Sequence, residues 1–287
     1  MLGGSAVHFS LAASFFDVVH VVGPVGDDFG EDEYDVLRSR GVETSDIEHV
    51  AGGRTFFWHG EYGWDLNDRR TIETRLGVFA DFEPKLSESA RRADVLFLAN
   101  IQPDLQRRVR EQCPDPRFVG LDSMNLWIET ARDSLIETIG LADCLMLNDA
   151  ELRELTREPN LVRAARQVRE WGPRVVVAKQ GEYGAALFTD EGFFALPAFP
   201  LETVVDPTGA GDCFAGGFMG YIAAHQGELD HDLLSRAMAY GTALASFNVE
   251  EFGVERIVRL TSEEVAERVA DLRRMTHFVE KPVALRD

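Results

Sequence analysis

Short runs of apolar, β-branched residues alternate with longer amphipathic stretches along nearly the whole chain, and this alternation restricts the fold more than any other feature. The runs Val18–Val22, Val95–Ala99, Phe118–Asp122, Cys144–Asn148 and Arg174–Lys179 are almost wholly apolar. Such runs suit parallel strands whose two faces are both covered by helices. Between them, Glu31–Arg40, Pro103–Gln112, Thr130–Ile139, Asp149–Thr156 and Leu161–Trp171 read as helices. In the last, Leu161, Ala164, Ala165, Val168 and Trp171 recur at helical spacing. The order strand–helix–strand predicts an α/β fold with a doubly wound, mostly parallel sheet.

Two stretches break that rhythm. Within 54–82, the extended segments Thr55–Tyr62 and Thr71–Phe79 flank a polar turn, Asp65-Leu66-Asn67-Asp68, and predict a β-hairpin lid projecting from the core. Gly184–Thr189 and Gly192–Ala198 predict a second hairpin. Helices are then expected over Gly209–Ala224, Leu233–Phe247 and Ser262–Thr276, the last capped by Thr261 ahead of acidic residues. The expected organisation is therefore 1–53 as the first part of the core, 54–82 as the lid and 83–287 as the rest of the core. The apolar face of the first hairpin (Phe56, Trp58, Tyr62) fits either the underside of a lid or a homodimer surface.

Composition narrows the partners. The 287 residues carry a formal net charge of -20, which opposes binding to nucleic acid or an anionic membrane surface. An anion site made by local amides and a metal ion remains compatible with it. Cys113, Cys144 and Cys213 form no CxxC pair, which suits a reducing cytoplasm. No apolar run approaches the ~18–20 residues of a membrane span.

The chemistry concentrates at Val204-Val205-Asp206-Pro207-Thr208-Gly209-Ala210-Gly211-Asp212-Cys213. A short extended segment enters small residues and then a helix. Glycines at 209 and 211 remove Cβ atoms where backbone must approach a ligand. The N–H groups of Gly209, Ala210, Gly211 and Asp212 would open at the helix start as an anion hole, with the Asp212 carboxylate beside it. Such a carboxylate can take a proton from an attacking hydroxyl. A lone GxGD also fits a helix start that only caps and packs. No GxxxxGK[ST] loop is present.

This segment is similar to the C-terminal signature of the ribokinase-like (PfkB-type) carbohydrate kinase family. Further segments agree in the family's order: Gly3-Gly4-Ser5-Ala6, Val21-Val22-Gly23-Pro24-Val25-Gly26-Asp27-Asp28-Phe29-Gly30, Asp122-Ser123-Met124-Asn125, Asn148-Asp149-Ala150-Glu151 and Lys179-Gln180-Gly181-Glu182-Tyr183-Gly184. The resemblance implies Mg²⁺- and ATP-dependent phosphorylation of a hydroxyl on a sugar or sugar-like small molecule, with a nucleoside as the alternative acceptor. It also implies roles. Asp212 would be the base and Gly209, Ala210 and Gly211 the hole. Asn148 and Glu151 would hold the metal–phosphate network, although the pair equally fits a helix capping box. Lys179, Gly181, Gly184 and Thr208 would face ATP, and Asn248 the adenine; a simple hairpin turn fits the two glycines as well, and a core or cap role fits Asn248. Gly3, Gly4 and His8 would face the acceptor. Some members of the family also bind a monovalent cation near the Asp206–Gly209 turn.

Two departures stand out. His8 occupies a position where relatives carry Asn, so it reads either as a contact to an unusual acceptor or as a packed histidine. Asp65, Asn67 and Arg69 of the first hairpin could reach the same pocket or lie in solvent. The chain also opens on a motif that relatives place after a first core strand, so that strand is expected upstream of Met1. A catalytically silent, ligand-binding relative is the reading from another functional class.

Overall fold

The computed structural model describes residues 1–67 and 69–279; Asp68 and the side chain of Arg69 lie outside the described set. Its strands are β1 (Gly23–Val25), β2 (Ile47–His49), β3 (Phe57–Tyr62), β4 (Arg69–Arg75), β5 (Val95–Leu98), β6 (Phe118–Asp122), β7 (Cys144–Asn148), β8 (Val175–Lys179), β9 (Ala185–Phe188) and β10 (Phe193–Leu196). Six of them form one mixed sheet in the order β10-β9-β8-β7-β6-β5. Strands β5 to β8 run parallel, and β9 and β10 add an antiparallel hairpin at one edge.

The alternation of side chains along each central strand explains why both faces are covered. From β7, Leu145 and Leu147 join a core with Leu121, Leu135, Leu152, Leu155, Ala164 and Val168, beneath the helices of the chain's middle third. Its neighbours Cys144 and Met146 point the other way, into a core with Phe118, Val177, Phe214, Phe218 and Leu233. That second layer holds the helices Ser5–Ala13, Ala210–Ala223 and His231–Asn248. A strand buried on both sides needs apolar residues at every position, which is the pattern the sequence shows.

Several expectations change at their edges. The run Val18–Val22 is not a strand: His20 makes one isolated bridge to Glu43, and the ladder begins only at Gly23, where β1 pairs in parallel with β2. The segment has a partner on one side only, and Val18 stays exposed. The expected helix Thr130–Ile139 divides at Ala131 into Asn125–Thr130 and Arg132–Ile139. The second lid strand stops at Arg75. Gly77, with φ 54, turns the chain so that Val78 N–H reaches the Arg54 carbonyl, and Gly77–Asp81 forms a 3-10 turn.

The last described helix, Ser262–Thr276, begins with a reciprocal capping box. Thr261 Oγ1 accepts from the Glu264 N–H, and Glu264 accepts from the Thr261 N–H. Glu264 also accepts a hydrogen bond from Arg256 at 2.7 Å. The Arg256 bond first, and then the cap, lower the Glu264 carboxyl from 4.5 to about 2. A depressed carboxyl contributes stability that is complete above its unfolded value and lost as pH falls through its folded value. Glu264→Gln is therefore expected to flatten the decline in stability between pH 4.5 and about 2. Urea titrations of both proteins at about pH 6, about pH 4 and about pH 3 would check it; parallel declines would exclude the linkage.

Candidate active site

The Asp206–Asp212 turn lies where the second helical layer meets the carboxyl end of the sheet. Gly209 is the N-cap of helix Ala210–Ala223 and adopts the left-handed region at φ 80. The buried ring of His8 fills the space on its open side, and a Cβ at position 209 would sit 2.5 Å from that ring. The absence of a side chain there serves both the backbone angle and the histidine.

One of the four expected amides already has a partner. Ala210 N–H donates to the Pro207 carbonyl at 3.2 Å. Among the described residues, the N–H groups of Gly209, Gly211 and Asp212 have no acceptor. Those three stand at the positive end of a 14-residue helix, the kind of place where anions are bound. Asp212 lies in the first helical turn, half-buried, at their edge.

Three elements bring charge to this point. Lys179, at the end of β8, donates from Nζ to Asp122 Oδ2 at 3.0 Å, and Nζ also lies 3.1 Å from where a Gly211 Cβ would be. Burial acts to lower the Lys179 ammonium, but the carboxylates of Asp122, Glu151 and Asp212 outweigh it and hold it above its ordinary value. A positive charge is thus fixed at the mouth of the amide turn. In the sequence, Asp122 stands out only as part of a motif. Its place at the end of the core strand β6 is the available signal, because ligands of open α/β sheets collect at carboxyl ends of strands.

Asn148 and Glu151 form the capping box that their spacing allows. Glu151 N–H donates to Asn148 Oδ1 at 2.7 Å, and Asn148 N–H donates to Glu151 Oε2 at 3.0 Å. The box aims a nearly buried carboxyl toward Lys179 rather than into bulk water. Gly181 and Gly184 both have positive φ, 57 and 100, in a tight turn closed by Gln180 N–H to the Gly184 carbonyl at 2.7 Å. Asn67, at the tip of the hairpin formed by β3 and β4, packs onto Gly181 in the space a Cβ would need. Tyr62 of β3 pairs its hydroxyl with Thr208 Oγ1 at 3.1 Å. The hairpin therefore touches both the Asp206–Asp212 turn and the Gly181 turn, contacts that no local sequence signal marks.

On the other side, Gly4 caps helix Ser5–Ala13 at φ 90 and accepts from the Val7 and His8 N–H groups. Gly3 lies against the His8 ring, with Nε2 3.7 Å from its Cβ position. Burial pulls the His8 imidazole below its ordinary value, against the opposing pull of Asp212, the Asn248 bond and Asp206. Asn248, expected against adenine or in a core or cap role, lies in the core. It is 1% exposed, and its carboxamide is committed to the Thr208 carbonyl at 2.8 Å and to His8 Nδ1 at 2.9 Å.

The sequence profile described as pfkB family carbohydrate kinase matches residues 2–259. The chain belongs to that family. It is an ATP-dependent phosphotransferase with an alcohol group as acceptor. It is 28% identical over 229 residues to the cytidine kinase of Thermococcus kodakarensis, covering 76% of this chain and 79% of the relative. It is 27% identical over 271 residues to a nucleoside kinase of Methanothermobacter thermautotrophicus, covering 92% and 83%. An E. coli protein assigned as ribokinase II, solved with ATP and Mg²⁺, superposes with a TM-score of 0.76 at 21% identity, over 94% of this chain and 89% of that one. The fold of this kinase is accordingly ribokinase-like. Among the described residues, no helix is long and apolar enough to cross a membrane.

Proposed function

We propose that this kinase transfers the γ-phosphoryl of ATP to a hydroxyl of a sugar-bearing small molecule, with the nucleosides as the favoured acceptor class. The observation that carries the reading is the Asp212 carboxylate standing beside three unpaired amides and one partly buried ammonium. As the acceptor oxygen attacks phosphorus, its proton passes to Asp212, the bond to the β-phosphate oxygen breaks, and ADP leaves. Charge growing on the equatorial phosphoryl oxygens meets the Gly209, Gly211 and Asp212 N–H groups and Lys179.

Gly181, Gly184 and Thr208 line the approach of the ATP phosphates. Asp122 and Glu151, together with the Asn148 amide that holds Glu151, make an oxygen-rich wall without a closed cage. Such a wall fits Mg²⁺ that keeps most of its water and arrives on phosphate oxygens. Bound Mg²⁺ supplies neutralisation of the β- and γ-phosphate charge. The relative solved with ATP and Mg²⁺ supports the same pairing.

On the acceptor side, Gly3 and Gly4 leave room for a hydroxyl donor, while the His8 ring, 1% exposed, packs between Gly3 and Gly209. Sugars and nucleosides both carry such donors. Similarity to the cytidine and nucleoside kinases moves the weight toward nucleosides, whereas the residues alone favour neither. An ATP-consumption screen over nucleosides, free pentoses, hexoses and polyols separates the two. Turnover is expected to be highest with a nucleoside. Highest turnover with a free sugar would return the reading to a sugar kinase, and no turnover with any alcohol would remove the catalytic reading.

A further inference from the structure

The peptide between Thr208 and Gly209 is held from one side. Asn248 Nδ2 donates to the Thr208 carbonyl at 2.8 Å. In a trans peptide the carbonyl and the following N–H point in opposite directions. No cis peptide occurs among the described residues. Fixing the Thr208 oxygen on Asn248 therefore aims the Gly209 N–H away from Asn248, toward the open side of the turn.

The orientation of Asn248 is itself determined. A carbonyl oxygen only accepts, so the NH₂ of the carboxamide faces Thr208 and Oδ1 faces His8 Nδ1, 2.9 Å away. His8 must then carry its proton on Nδ1, which leaves Nε2 with the lone pair. Cys213 Sγ adds a third partner, 3.3 Å from Asn248 Oδ1. Asn248 and His8 are each 1% exposed. One carboxamide thus joins the acceptor-side helix, the catalytic turn and the end of helix His231–Asn248.

We infer that Asn248 is a positioning residue for phosphoryl transfer, setting the direction of the Gly209 N–H through the Thr208 carbonyl and being set in turn by His8. The inference rests on the functional reading above. A buried amide that only filled space would affect folding and ligand binding together. A positioning amide affects the transferring phosphoryl and leaves the resting complex alone.

Asn248→Asp keeps the shape and replaces the donor by an oxygen opposite another oxygen; Asn248→Ala removes the group. In each, kcat with the best acceptor from the screen is expected to fall about 100-fold, the scale of losing one preorganised donor. KM for ATP and for the acceptor should stay within about 3-fold. Affinity for ADP with Mg²⁺ and aluminium fluoride, a mimic of the transferring phosphoryl, should fall in step with kcat. Affinity for ADP with Mg²⁺ alone should not change. If either folded variant turns over within about 3-fold of the parent, the inference is overturned. It is equally overturned if ADP affinity falls with kcat, or if neither variant folds, since both outcomes assign a structural role. Asp212→Asn in the same assays separates the two levels. Full turnover there defeats the functional reading itself, whereas a dead Asp212→Asn beside active Asn248 variants defeats only this inference.

Discussion

Asp212→Asn is expected to lower kcat by about three orders of magnitude while leaving the protein folded, in keeping with the ~10²–10⁴ contributed by a positioned base. The substitution preserves volume and removes both the negative charge and the proton-accepting oxygen. Among the described residues, no hydrogen bond ties the Asp212 carboxylate into the fold. Its structural contribution is the interaction with the helix dipole, about 0.3–1 kcal/mol. Lys179 keeps Asp122 as its direct partner at 3.0 Å, so no buried charge loses its last counter-ion. Steady-state kinetics beside thermal unfolding would check both halves of the expectation. Turnover within about tenfold of the parent would remove Asp212 from the base role.

Gly216→Val is expected to destabilise the protein by about 3 kcal/mol, at the upper end of the usual cost of overpacking. Helix Ala210–Ala223 lies between two others at backbone contact. A Cβ at Gly216 would overlap the Phe9 carbonyl and sit 2.8 Å from Ala12 Cβ. On the opposite side, a Cβ at Gly217 would meet Leu244 at 2.8 Å and the Gly241 Cα at 2.9 Å. Gly220 repeats the pattern against Phe16 and Ala13. Neither neighbouring backbone can yield without moving its own side chains out of the core. Glycine in a helix costs about 1 kcal/mol relative to alanine, and this close packing is what offsets it. Gly227→Ala, where nothing lies within 4 Å, is the matched control and should be nearly neutral. Urea unfolding of the pair reads the difference. A Gly216→Val midpoint equal to that of the control would show that the layer yields more easily than these distances imply.

The fold was legible because the central strands are buried on both faces. Leu145 and Leu147 had to differ in direction from Cys144 and Met146, yet all four had to be apolar, and only a sheet between two helical layers asks for that. The run Val18–Val22 is just as apolar but lacks a second neighbouring strand, and composition alone does not reveal a missing neighbour. At the site, the Asp206–Asp212 turn was readable because it is one continuous segment whose glycines have local reasons. The capping box of Asn148 and Glu151 was also readable, from spacing alone. Asp122, Tyr62 and Asn248 were not, because their roles come from contacts across the chain: Asp122 to Lys179, Tyr62 to Thr208 and Asn248 to His8. For Asn248 the sequence position fitted an adenine contact and a core or cap role alike, and its two long-range hydrogen bonds are visible only in the fold. The pairing of Ala210, one of the four expected amides, depends on one turn hydrogen bond to Pro207, which residue types do not encode.

The glycine-lined contact between helices Ser5–Ala13 and Ala210–Ala223 has one further consequence. His8 and Gly209 stand on backbones interlocked where Gly216 and Gly220 meet Phe9, Ala12 and Ala13. The floor of the site is therefore built at a set distance before any ligand arrives. The hairpin formed by β3 and β4 meets that floor through one hydroxyl pair, Tyr62 with Thr208, and through Asn67 at Gly181. Breaking those two contacts would free the hairpin at this edge while leaving the glycine-packed floor in place.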